Sequence, residues 1–212
     1  MFTVDKINEL ISILEHTYPN DLCALEYEKD YELLFAARLA AQCTDARVNQ
    51  VTPILFNRYP TIEDIAVADI SEVEDIVKSC GFYKVKARDI VVAAGIIADK
   101  YNGQLPDTME ELLTLPGVGR KTANLILGVV FRKPAVVVDT HCIRLSNRIG
   151  LVRTKNTFQI EKELRALLPA EKSNDFCHRL VLHGRAVCIA RKALCERCAI
   201  AHLCVTFSGL AS

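Results

Sequence analysis

Four cysteines, Cys188, Cys195, Cys198 and Cys204, form a C-x6-C-x2-C-x5-C array that closes within 17 residues. Thiolates gathered this tightly repel one another unless a multivalent cation holds them. Zinc sites usually place two tight pairs apart, whereas here one tight pair is flanked by longer arms, which favours a [4Fe-4S] cluster over zinc. The other five cysteines, Cys23, Cys43, Cys80, Cys142 and Cys177, lie in apolar helical context and read as small buried hydrophobes.

A second chemical feature is Leu115-Pro116-Gly117-Val118-Gly119-Arg120-Lys121-Thr122-Ala123. Gly117 and Gly119 permit positive φ and let another molecule's backbone come close, while the amides opening the next helix favour an anion such as a DNA phosphate. Glycines also serve simply to turn between two helices; the following Arg120 and Lys121 lift the anion reading. Lys121 falls in the first helical turn, and a lysine's free amine is a nucleophile. The plain alternative is a solvated surface lysine. Asp139, in Val138-Asp139-Thr140-His141, is placed to cap a helix, and it is also the single acid in a strongly basic stretch, able to stabilise a nearby cation.

Most of the chain reads as the helices that must position these groups. Apolar residues recur at three and four in Ile7, Leu10, Ile11, Leu14 and in Ile90, Val91, Ala94, Ile97. Ser71-x-x-Glu74 and Thr108-x-x-Glu111 read as capping boxes, Gly81, Gly103 and Gly150 as helix stops, and Pro19, Pro53, Pro116 and Pro134 as boundaries, giving about ten short helices. Ala135-Val136-Val137-Val138 would be a strand in isolation; with no partner strand nearby it reads as an extended connector. Lys133-Pro134 is the best hinge between two lobes.

At 212 residues, 50% hydrophobic and 25% charged, the chain can bury a real core as one large domain or two small ones, which excludes a disordered or low-complexity protein. Its start carries neither a basic segment nor an apolar leader, and its longest apolar run, Leu125 to Phe131, is far short of a membrane span. A soluble cytosolic protein with reduced thiols is expected. The 26 basic and 26 acidic residues cancel, yet Gly117 to Lys155 holds Arg120, Lys121, Arg132, Lys133, Arg144, Arg148, Arg153 and Lys155 against Asp139 alone. Phe176 to Cys204 adds Arg179, Arg185, Arg191, Lys192 and Arg197 against Glu196. Two segments therefore carry the positive field, as a polyanion-binding face would require.

Leu115 to Asn124, the Val138 to His141 tetrapeptide and the cysteine array together closely resemble the endonuclease III family of helix-hairpin-helix DNA glycosylases. The match runs from about Leu33 to Cys204, with the acidic residue 18 positions after the lysine and every motif in family order. The resemblance implies an all-α protein of two lobes flanking a DNA-binding cleft: a six-helix barrel with the hairpin at 22–132, and a discontinuous cluster domain at 1–21 and 133–212. Lys121 would attack C1′ of the sugar, displace an oxidised pyrimidine and form a Schiff base that β-eliminates the 3′ phosphate. Asp139, facing it across the cleft, would stabilise the oxocarbenium-like sugar and help deprotonate Lys121.

Gln42 matches the glutamine that fills the hole left by the flipped base, and Phe82 stands where relatives commonly carry a leucine wedge. Without the family, Gln42 reads as an exposed helix residue and Phe82 as the hydrophobic contact that follows a glycine stop. Gly117, Gly119, Arg120, Arg191 and Lys192 complete the expected DNA contacts. The implied partner is double-stranded DNA carrying oxidised pyrimidines or abasic sites, met by a cytoplasmic, nucleoid-associated monomer that touches no membrane. An adenine-mismatch glycosylase shares the hairpin, aspartate and cluster, but such enzymes lack the lysine and continue into a further domain, whereas this chain stops eight residues after Cys204. A non-catalytic DNA-binding module with a structural metal would leave the Lys121 and Asp139 pairing a coincidence. An iron-sulfur electron carrier is weaker again, for nothing in the chain suggests a redox partner.

Overall fold

The computed structural model describes residues 2–19 and 23–208, whose regular elements are all helical, with no β-strand among them. None of the described helices is long and apolar enough to cross a membrane. The residues fall into two compact units, one made of 23–131 and the other of 2–19 with 132–208.

The first helix, α1 (Val4–Thr17), belongs to the second unit. The 23–131 unit contains α2 (Asp30–Leu39), α3 (Asp45–Arg58), α4 (Ile62–Ala66), α5 (Ile70–Val77), a 3₁₀ turn (Lys78–Cys80), α6 (Tyr83–Tyr101), α7 (Met109–Leu112) and α8 (Arg120–Val129). Its spine is α6, whose Ala87, Ile90, Val91, Ala94 and Ile97 repeat at helical spacing and are buried. Against this stripe pack α4, α5 and α2. The helix stops where Asn102 and Gly103 both turn left-handed.

Two boundary readings are corrected here. The cap of α5 is Asp69, whose carboxylate accepts from the Ser71 amide at 2.7 Å; Ser71 lies inside the helix, so Ser71 and Glu74 form no capping box. An aspartate two residues ahead of the serine took the position first. Pro53 lies within α3 rather than at its edge. It is exposed, and Val48, Val51, Thr52 and Leu55 bury the opposite face. That burial offsets the roughly 3 kcal/mol a mid-helix proline costs.

The second unit combines α1 with α9 (Thr140–Ile149), α10 (Thr157–Leu167), a 3₁₀ turn (Ala170–Lys172), α11 (Ser173–Ala186), 3₁₀ turns at Cys195–Arg197 and Ala201–Leu203, and α12 (Val205–Ser208). The apolar face of α1, Ile7, Leu10, Ile11 and Leu14, is buried, and α1 packs on α11. Helices α9 and α11 meet at Gly184, where a side chain would strike His141 and Arg144. Residues 135–138 form an extended connector with no ladder, and all four side chains are buried, so their β-branched run reflects burial rather than a sheet. Cys80, Cys142 and Cys177 are buried as expected of small hydrophobes, while Cys23 and Cys43 are only half-buried.

Candidate functional site

In the 23–131 unit the hairpin is built from its caps inward. Thr108 opens α7, accepting from the Glu111 amide at 3.3 Å and donating to the Glu111 carboxylate at 2.8 Å. Leu115 is buried, and the Val118 amide donates back to its carbonyl at 3.2 Å. Gly117 turns at φ +73°, over the ion pair in which Arg38 Nε donates to Asp89 Oδ2 at 2.7 Å. A side chain at Gly117 would collide with both partners, so glycine is required there by space as well as by φ. Gly119 then caps α8 and, having no side chain, makes no side-chain cap hydrogen bond itself. The first-turn amides and the helix dipole make an anion seat, beside which Arg120 and Lys121 are exposed.

Gln42 and Phe82 sit on two turns of the same unit. Gln42 is exposed, at φ +55°, in the turn between α2 and α3 rather than on a helix. Phe82 caps α6 at φ +48° and is 68% exposed, far more open than the hydrophobic contact a glycine stop usually brings. Large aromatic side chains left this open mark contact surfaces more often than cores. The two turns are joined by a residue that sequence reasoning missed. Lys86, 1% exposed, donates from Nζ to the carbonyls of Leu39 (2.9 Å), Ala41 (2.7 Å) and Cys80 (2.7 Å). Its sequence signal was register: Lys86 lies four residues before Ile90, on the apolar stripe of α6.

In the other unit, Asp139 leaves the buried connector as the N-cap of α9, Oδ1 accepting from the Cys142 amide at 2.7 Å. Cys188, Cys195, Cys198 and Cys204 line one cavity of about 240 Å³. Among the described residues no three His, Cys, Asp or Glu side chains gather about a single ion position. Burial pushes the Cys198 thiol up, and charge on Cys204, Cys188 and Cys195 pushes it the same way. His183 Nε2 lies 3.4 Å from Cys198 Sγ, its Nδ1 3.0 Å from the Tyr18 hydroxyl, and burial lowers the imidazole's pKa and favours its neutral form.

The positive segments are partly spent inside this unit, which corrects the reading of the charge asymmetry as one outward field. Arg148 donates to Cys188 Sγ (3.4 Å), Ile189 O (3.0 Å) and Ala190 O (2.8 Å), and Arg144 to Gly184 O (3.1 Å) and Cys188 O (3.0 Å). Arg179 is buried, donating to Tyr18 O at 3.2 Å beside Glu15 and Asp175. Arg191 and Lys192 are exposed on the loop that Arg148 anchors.

Residues 35–170 match the family model described as HhH-GPD superfamily base excision DNA repair protein. The chain is 46% identical over 200 residues to an endonuclease III of Synechocystis sp., covering 94% of this chain and 91% of that one. It is 38% identical over 196 residues to the endonuclease III of Escherichia coli, covering 92% and 93%. Among solved structures, a trapped endonuclease III-DNA covalent intermediate superposes with a TM-score of 0.91 at 38% identity, covering 100% of both chains.

Proposed function

Because the chain belongs to the endonuclease III family of HhH-GPD base excision DNA repair proteins, we propose that it excises oxidised pyrimidines from duplex DNA with Lys121 as nucleophile and Asp139 as its assisting carboxylate. The enzyme class is that of the family, a DNA glycosylase and abasic-site lyase. One observation carries the assignment of Lys121. The solved neighbour is a covalent DNA intermediate, which demands a nucleophile, and Lys121 is an exposed amine in the first turn of the hairpin's second helix.

The chemistry follows from the residue types. Attack of the Lys121 amine on C1′ displaces the damaged base, which leaves with a proton from the nitrogen; the C1′–O4′ bond then opens, O4′ takes up the proton removed from the lysine, and an iminium remains. Loss of a C2′ proton then expels the 3′ phosphate, and water releases the lysine. Asp139 takes a proton from Lys121 and offsets positive charge on the sugar. The first-turn amides of α8 with Arg120 seat a backbone phosphate, and Arg191 and Lys192 add charge contacts that position without reading sequence. Gln42 and Phe82 enter the duplex where the base has left.

Borohydride trapping on duplex containing thymine glycol tests this reading, since a lysine lyase becomes covalently linked to its substrate. Protein that turns over the substrate without being trapped would exclude the Schiff base.

We further propose that the four cysteines hold a [4Fe-4S] cluster. The donor set fits: four thiols round one cavity, with Arg148 donating to a ligand sulfur. When bound it would supply a rigid tie between the ends of the Arg191 loop, and base excision with β-elimination needs no net electron transfer. Purified protein is expected to be yellow-brown with about four irons per chain. Colourless protein holding stoichiometric zinc would refute the cluster.

A further inference from the structure

The Lys86 ammonium is an unusual solution to an ordinary need. Helices end with carbonyls that have no partner within the helix, and a lysine near a helix end can satisfy them. Leu39 ends α2, Ala41 lies just beyond it, and Cys80 ends the 3₁₀ turn, so one cation serves the negative ends of two helical segments. Burial pulls the ammonium below the ordinary lysine range; the three carbonyl dipoles act against that pull. Each pinned segment leads directly into a left-handed residue: Ala41 into Gln42, and Cys80 through Gly81 into Phe82. Neither Gln42 nor Phe82 has glycine's freedom at positive φ, and such conformations persist where the surroundings over-determine them. The Lys86 amide also donates to the Phe82 carbonyl at 3.2 Å.

We propose that Lys86 is a positioning residue for lesion recognition: by donating to Leu39 O, Ala41 O and Cys80 O it fixes the Gln42 turn and the Phe82 turn as one unit, so that both side chains enter the duplex together. This rests on the reading that Gln42 and Phe82 enter DNA. A rigid pair meets the ordering cost of insertion before DNA arrives, and binding then selects duplex that opens easily.

The test compares the intact protein, Lys86→Met, and the Gln42→Ala/Phe82→Ala double variant on thymine glycol duplex and on undamaged duplex. A 2-aminopurine opposite the lesion reports opening of the helix. Lys86→Met should lose about tenfold in affinity for the damaged duplex and most of the fluorescence rise, with undamaged duplex held within about twofold. Added to the double variant, it should change discrimination by less than about twofold, because its effect runs through those two side chains. Equal losses on both duplexes, or full additivity, would mean a structural lysine and overturn the proposal. If the double variant itself discriminates normally, the fault lies in the reading of Gln42 and Phe82, and the proposal falls with it. Should Lys86→Met not fold, hydrogen exchange on the wild-type protein decides. The amides of 40–43 and 82–86 are expected to open as one unit, and opening rates more than about tenfold apart would overturn the clamp.

Discussion

Lys121→Gln is expected to lose at least about 10³-fold in excision and all covalent trapping, while binding damaged duplex within about tenfold of the wild-type protein. The separation follows from where the two kinds of interaction sit. An amide has no basic lone pair to attack C1′, so the step that breaks the glycosidic bond loses its nucleophile outright. The proposed phosphate seat, in contrast, uses main-chain amides following Gly119, in a turn where Gly117 packs over the Arg38 and Asp89 ion pair. Glutamine is a good helix former and leaves that turn intact. Single-turnover excision and filter binding on one thymine glycol duplex measure both quantities. Normal turnover would remove Lys121 from the chemistry; a parallel collapse of binding would mean that its charge, not its amine, was the contribution.

What could be read from sequence was local, and what could not was long-range. The hairpin was legible because its signals are consecutive: a proline, two glycines and a cationic first turn within six residues. The caps at Thr108 and Asp139 were legible for the same reason, each side chain serving an amide three residues on. The cysteine array closes within 17 residues, so its spacing is itself a constraint. Lys86 was passed over because a lysine on an amphipathic helix ordinarily points to water, and only the distant carbonyls of Leu39 and Ala41 reward its burial. His183 lines the cysteine cavity, and its hydrogen-bond partner Tyr18 comes from the opposite end of the chain. Arg144, Arg148 and Arg179 were counted as surface field because charge is visible in sequence and its partner is not; each donates instead to main-chain carbonyls of its own unit. Pro53 shows local preference losing to packing, since the α3 core face runs through it.

Asp139→Asn is expected to slow excision by about 10²-fold while lowering the melting temperature by no more than about 2–4 °C. The geometry makes this substitution informative. Asp139 Oδ1 accepts from the Cys142 amide at 2.7 Å, and asparagine, as good an N-cap as aspartate, keeps a carbonyl oxygen in that position. What it removes is the charge, and with it, in the proposed mechanism, both the acceptor for a proton from Lys121 and the anion that offsets a cationic sugar. The helix dipole prefers the anion as well, at a cost of about 0.3–1 kcal/mol to the neutral variant. Asp139→Ala completes the comparison: it removes cap and charge together, and is expected to lose a further ~1 kcal/mol of stability with little additional loss of rate. If Asp139 served α9 alone, the order would invert, with Asp139→Asn excising at the wild-type rate and Asp139→Ala slowed only as far as unfolding depletes it. Rates measured well below the melting transition, alongside the transitions themselves, tell a catalytic carboxylate from a cap.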